Sequence, residues 1–175
     1  MRKRIGVLLD KINYSYGYEI YKLYKELFGN TKIRNVYYNL KKGVIEGEFV
    51  LIEVKKEFGN YTWGGETERV YYTTGPYVEF VQLDKKQNEK LEKIGKRNIN
   101  IDWKKELRLQ LKKLYTQIMD FQRKKNTYLA HDRIKINNKL LIRCSKLKEW
   151  AEGKISKELY VQFIKQINKM MNLLE

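Results

Sequence analysis

Apolar residues recur at helical spacing from the start of the chain. Ile5, Leu8, Leu9 and Ile12 fall on one side of a helix over 5–12, because positions i, i+3, i+4 and i+7 share one face. Tyr-Ser-Tyr-Gly at 14–17 interrupts it. In YEIYKLYKELFG (18–29), Ile20, Leu23, Tyr24 and Leu27 repeat the spacing, and Gly29 suits the residue after a helix end. TKIRNVYYNLKKG (31–43) predicts a third helix, with Thr31 as its cap and Ile33, Val36, Tyr37 and Leu40 as its apolar stripe. Tyr37 then points inward and Tyr38 outward; either Gly43 or Gly47 can be the turn glycine, and Gly43 is preferred because Val44-Ile45-Glu46 then reads as the first wing residues. The period next changes to two. EFVLIEVKKEF (48–58) sets Val50, Ile52 and Val54 on one side, a β-strand pattern. GNYTWGG (59–65) reads as a turn and ETERVYYTT (66–74) as the returning strand of a hairpin. YVEFVQL (77–83) fits either a short strand or a helix start.

Residues 84–101 are polar and charged, hold a short helix ending near Gly95, and read as a connecting segment between domains at 1–83 and 102–175. The second domain is helical. DWKKELRLQLKKLYTQIMDFQRKKNTYL (102–129) spaces Leu107, Leu111, Leu114, Ile118 and Phe121 alternately four and three apart, a coiled-coil seam. KINNKLLIRCSKLKEWAEG (135–153) and SKELYVQFIKQINKMMNLLE (156–175) follow as two further helices.

Charge changes this picture most. The 175 residues carry a formal net charge of +16, and a surface so basic favours a polyanionic partner, nucleic acid before an anionic membrane. Residues 1–83 hold 13 Lys/Arg against 10 Asp/Glu, and 84–175 hold 24 against 11, so the excess lies mostly in the second half. One cysteine, Cys144, and one histidine, His131, allow no internal disulfide and no Cys/His metal cluster. That suits a reducing interior, and the expectation is a cytoplasmic protein without metal or cofactor. The run IGVLL is too short for a signal peptide. No apolar stretch reaches the 18 residues needed to cross a membrane.

Three helices followed by a hairpin is the order of a winged helix. The residues also resemble a family. IGVLL followed by GYEIYKLYKELFG is similar to the first two helices of the PadR-like winged-helix transcription regulators. VYYNLKKGVIEGEFV resembles their third helix running into a wing strand, and RVYYTT their return strand. The resemblance covers residues 4–75 and implies an α+β fold: an N-terminal winged helix of three helices plus a β-hairpin wing, followed by an all-α C-terminal helical region. It implies a sequence-specific DNA-binding regulator that binds double-stranded DNA and dimerises through C-terminal helices, a role suited to the seam of Leu107, Leu111, Leu114, Ile118 and Phe121.

The third helix carries the chemistry. Its polar side offers Thr31, Lys32, Arg34, Asn35, Tyr38, Asn39, Lys41 and Lys42 and no acid. Arg pairs with guanine edges or phosphate, Asn with adenine, and Lys with phosphate. The hairpin offers Lys55, Lys56, Asn60, Tyr61, Trp63 and Arg69 to backbone or minor groove. Arg2, Lys3 and Arg4 suit a minor-groove arm. Alternatives remain: an architectural or RNA-binding protein whose basic C-terminal half dominates, and a protein-interaction module. No nucleophile elbow, P-loop, dinucleotide-binding glycine motif or metal-ligand spacing occurs, so no enzyme is expected. Glu66 and Glu68 read as wing surface, His131-Asp132-Arg133 as a polar turn, and Cys144 as core.

Overall fold

The first three helices form where the apolar spacing places them, with ends set by tertiary contacts. In a computed structural model that describes residues 1–61, 64–98 and 100–174 (backbone alone at 57, 59, 60 and 61), α1 spans Arg2–Ile12, α2 Gly17–Phe28 and α3 Ile33–Glu46. Ile5, Leu8, Leu9, Ile20, Val36 and Leu40 are fully buried in one core with Phe49. The described residues form seven α-helices and one three-stranded antiparallel sheet, an α+β chain divided into two units, Met1–Ile101 and Asp102–Glu175.

Helix α3 does not stop at Gly43. It runs to Glu46 and is capped by Gly47 at φ 74°, whose N–H bonds to the carbonyls of Gly43 and Val44. That left-handed φ is nearly free of cost only for glycine. Gly43 is needed for packing instead, since a Cβ there would sit 2.2 Å from Cδ2 of the buried Phe49 ring. Thr31 is not the cap either. Lys32 occupies the N-cap position, and no side chain caps the helix.

The segment between α1 and α2 is more than a break. Ser15–Tyr16 forms a two-residue strand, β1, pairing with Tyr71 and Tyr72 of the hairpin. β2 (Phe49–Tyr61) and β3 (Gly64–Thr74) make that hairpin, in the order β1-β3-β2. Its alternation is interrupted: Leu51 opposes Tyr72 and Glu53 opposes Tyr71, so Ile52 is an extra residue, a β-bulge. Val50 opposes Thr73 and Val54 opposes Val70, which puts these two valines on opposite faces, contrary to the period-two expectation. Residues 77–83 are neither strand nor helix. They lie against α1, where a Cβ on Gly6 would meet Val78 Cγ2 at 2.6 Å.

Residues 84–101 are not a connecting segment, because they complete the first unit's core. α4 (Lys85–Glu92) opens with a capping box between Asp84 and Gln87. Gln87 Nε2 also donates to Leu27 O at 3.0 Å, and Leu91 joins the core at 2 % exposure. Beyond it, Arg97 is clasped to the start of the unit. Its guanidinium donates to both oxygens of Glu19, its N–H to Ile12 O at 3.2 Å, and its carbonyl accepts from Asn13 Nδ2 at 2.8 Å. Ser15 Oγ adds a 2.6 Å bond to Glu19.

The second unit is three helices: α5 (Trp103–Lys124), α6 (Ala130–Ala151) and α7 (Lys157–Asn172). Asp102 and Ser156 cap α5 and α7. His131-Asp132-Arg133 lies in the first turn of α6 rather than in a free turn. Leu107, Leu114, Ile118 and Phe121 are buried with Leu140, Cys144, Leu147, Phe163 and Ile167. Four of the five seam residues are therefore core of the chain's own bundle and cannot also meet a second copy. Leu111 alone stays partly exposed.

Candidate nucleic-acid interface

Helix α3 is held from behind by Val36 and Leu40, which leaves its other side in solvent. Lys32, Arg34, Asn35, Lys41 and Lys42 are exposed and Tyr38 is 63 % exposed. None of the four cations has an acidic partner within ion-pair distance among the described residues. Asn39 is half-buried. Its Nδ2 donates to Asn35 O at 2.8 Å and lies 3.2 Å from Met1 Sδ, so it is partly spent on the helix itself. Thr31 is half-buried just before the cap.

Two residues expected on the inner stripe are not buried. Ile33 is well exposed, and Tyr37 is 46 % exposed. The Tyr37 ring crosses Gly17, where a Cβ would stand 2.4 Å from its Cε1. Burial of the phenol and nearby Tyr16 raise its pKa. Burial and Tyr37 likewise raise that of Tyr72.

The hairpin cations are engaged with their own sheet. Lys55 lies 3.2 Å from Glu53, and Lys56 2.8 Å from Glu66. Arg69 stacks over Tyr16 at 4.2 Å. Exposed pairs of this kind are worth about 0.2–1 kcal/mol, so Lys55 and Lys56 can exchange partners with little loss. Trp63 lies outside the described residues, as do the side chains of Asn60 and Tyr61. Phe58, 80 % exposed, stands out towards the hairpin's end. No pattern in the sequence marked it, because its position alternates like that of a buried residue.

Arg2, Lys3 and Arg4 are not an arm. They form the first turn of α1, beside the exposed side of α3. Arg2 Nε meets Glu48 at 2.9 Å, Lys3 meets Glu79 at 2.9 Å, and the Arg4 guanidinium lies 5.0 Å above the Phe28 ring. Burial raises the Glu48 pKa against the opposing pull of Arg2. In the second unit, 18 Lys/Arg face 8 Asp/Glu. Lys154 sits between Trp103 and Trp150, 5.3 and 5.1 Å from the ring centroids, and burial lowers its pKa. Burial also pushes the Cys144 thiol up, as befits a core residue. Among the described residues, no group of three or more His, Cys, Asp or Glu is placed to hold a metal ion. Nor is any described helix long and apolar enough to cross a membrane.

The α-β-α-α-β-β order of residues 2–74, which α4 follows, is consistent with a winged helix, with an exposed third helix beside a hairpin. No family model matches the chain, and no curated protein matches it. Among solved structures, the chain is similar to Bacillus subtilis PadR in complex with operator DNA, at 12 % identity over 98 % of each chain and a TM-score of 0.28. A likeness of this size assigns no residue of this chain to DNA.

Proposed function

We propose that the chain is a winged-helix DNA-binding transcription regulator whose first unit reads duplex DNA. α3 enters the major groove, with Arg34 and Asn35 at base edges and Lys32, Lys41 and Lys42 on phosphates. Tyr38 and Asn39 lie alongside, and Thr31 marks the end of α3 that faces the backbone. The hairpin, through Lys55, Lys56 and Arg69 with the expected contacts Asn60, Tyr61 and Trp63, follows backbone or minor groove. The observation that carries this reading is the exposed side of α3 from Lys32 to Lys42: four cations, an amide and a phenol, with no acid before Glu46 in the last turn and, among the described residues, no ion-pair partner within reach of those cations. A surface helix serving only solubility has no need to keep acids off three successive turns of one face.

The test is selection of bound duplexes from a random pool, with affinities then measured by anisotropy at two salt concentrations. The expected result is a selected sequence bound with a log K against log salt slope of about −0.9 per phosphate contacted. Arg34→Ala with Asn35→Ala should cost about 1–3 kcal/mol of discrimination for each base pair that is no longer read. No salt-dependent duplex affinity would refute the reading. An unchanged sequence preference in the double variant would refute the assignment to α3.

A second reading, in which the helical unit binds nucleic acid without sequence preference, has its own support in the net +10 of residues 102–175. Lys104→Gln, Lys105→Gln and Arg108→Gln in the full chain would then weaken every duplex and RNA alike. A homodimer remains part of the proposal, on a surface that keeps only Leu111 of the expected seam. Leu111, Tyr115, Met170 and Leu173 floor an open groove of about 440 Å³ between α5 and α7, rimmed by Arg108, Lys112 and Lys169. Like charges on that rim repel across a two-fold contact, so dimerisation should strengthen as salt rises. A sedimentation series showing a monomer at every salt concentration refutes it.

A further inference from the structure

From the first turn of α1 we infer a second contact point for the same duplex, a clamp on a backbone phosphate beside the groove that α3 reads. This rests on the DNA reading above and goes beyond it. A depression of about 710 Å³ separates the start of α1 from the exposed side of α3. Arg2, Lys3 and Arg4 line one wall, and Tyr38, Asn39 and Lys42 of α3 line the other. The two walls are tied, since Asn39 Nδ2 lies 3.2 Å from Met1 Sδ. The acids present are Glu48 and Glu79, so four cations face two carboxylates, and no acid lies in the first turn of α1.

The division of labour within the cluster singles out the phosphate ligands. Arg2 is fixed: its Nε holds Glu48, and its Nη1 is shut off from solvent. Arg4 is braced over Phe28, which orients its guanidinium without neutralising it. The Lys3–Glu79 pair is more than half exposed on both sides, so its carboxylate is readily exchanged for a phosphodiester. Lys42 belongs to both the depression and the α3 face. A strand running past α3 would thus meet Lys42, Lys3 and Arg4 in turn. Such contacts set register and orientation and carry no sequence information.

The experiment compares the full chain with Lys3→Gln, Arg4→Gln and the double variant, each checked for fold by circular dichroism. Binding is measured to a selected duplex and to a scrambled one across a salt series. The double variant should reduce the log K against log salt slope by about 1–2, near 0.9 for each phosphate released, and weaken both duplexes by the same factor. Glu79→Gln, which frees Lys3, should tighten both duplexes. Lys85→Gln with Lys86→Gln, on α4, should leave the slope unchanged. An unchanged slope in Lys3→Gln and Arg4→Gln overturns the clamp and leaves the α3 reading standing. A loss confined to the selected duplex also overturns it, since that would mean base reading. A wild-type chain without salt-dependent duplex binding overturns both together. Lys3 is exposed and buries nothing, so its single variant keeps the test decisive even if Arg4→Gln disturbs the packing on Phe28.

Discussion

Leu91 decides whether residues 84–98 are connector or core. Its side chain is 2 % exposed and belongs to the same cluster as Ile5, Leu8 and Ile20. Truncation to Ala removes buried atoms and leaves a cavity, a change that costs about 2–5 kcal/mol in a closed core. A value near 3 kcal/mol is about two powers of ten in the opening equilibrium. In a connector, the same substitution would stay within about 0.5 kcal/mol, a factor near two. The two expectations are far enough apart to separate. Hydrogen exchange on the full chain, read separately on peptides from α1–α3 and from α5–α7, locates the effect. Leu91→Ala should lower protection roughly a hundredfold across α1–α3 and leave α5–α7 near wild type. Glu89→Ala, exposed on the same helix, serves as the control. Protection in α1–α3 unchanged within about threefold would refute the claim that α4 closes this core.

Gly43→Ala should destabilise the first unit although it raises helix propensity. The gain is about 1 kcal/mol, and pushing against the Phe49 ring at 2.2 Å costs about 1–3 kcal/mol; a stabilised variant in urea melts would contradict the packing described. Gly47→Ala should also destabilise, by about 1–2 kcal/mol, through its φ of 74°, and a neutral result would mean that α3 ends elsewhere. Glu19 gives a pH signature. Burial raises its pKa, but hydrogen bonds from Arg97 and Ser15 with Arg97's charge outweigh that and hold it below the ordinary 4.5. A lowered folded value contributes stability that is present above the unfolded pKa and lost as pH falls through the folded one. Glu19→Gln should therefore lower stability at pH 7 and flatten its decline below about pH 4.5; parallel profiles for the two proteins would discount the clasp.

Sequence periodicity is informative where a helix has one wet side and one dry side. α2, α3, α5 and α7 can be read from Ile20, Val36, Leu107 and Ile167 and their neighbours because each stripe is continuous. α4 cannot. Leu83, Leu91 and Ile94 are three apolar residues in a stretch crowded with charge, and only packing reveals that they share the core. β1 is two residues long, and its signal lies in pairing with Tyr71 and Tyr72 rather than in its own composition. Gly43 and Gly47 are both plausible ends for α3 until Phe49 shows which one must lack a side chain for close packing. On the candidate surface, the wet side of α3 is legible from spacing alone. The proximity of Arg2–Arg4 to that side is not, because it depends on how α1 crosses α3. The seam of α5 is legible as apolar, but period alone cannot say whether it meets a second chain or its own α6 and α7.

The clasp of Arg97 on Glu19 and Asn13 also orders events during synthesis. The first unit opens at residue 2 and closes on residues 91 and 97. Chains emerge at about 5–20 residues per second, so the hairpin is complete roughly one to five seconds before the strap at Arg97 can close the unit. During that interval α3 has its charges but no firm backing. A nascent chain cannot hold α3 on a closed core until the strap at Arg97 has left the ribosome, which makes the last part of the unit to arrive the one that completes it.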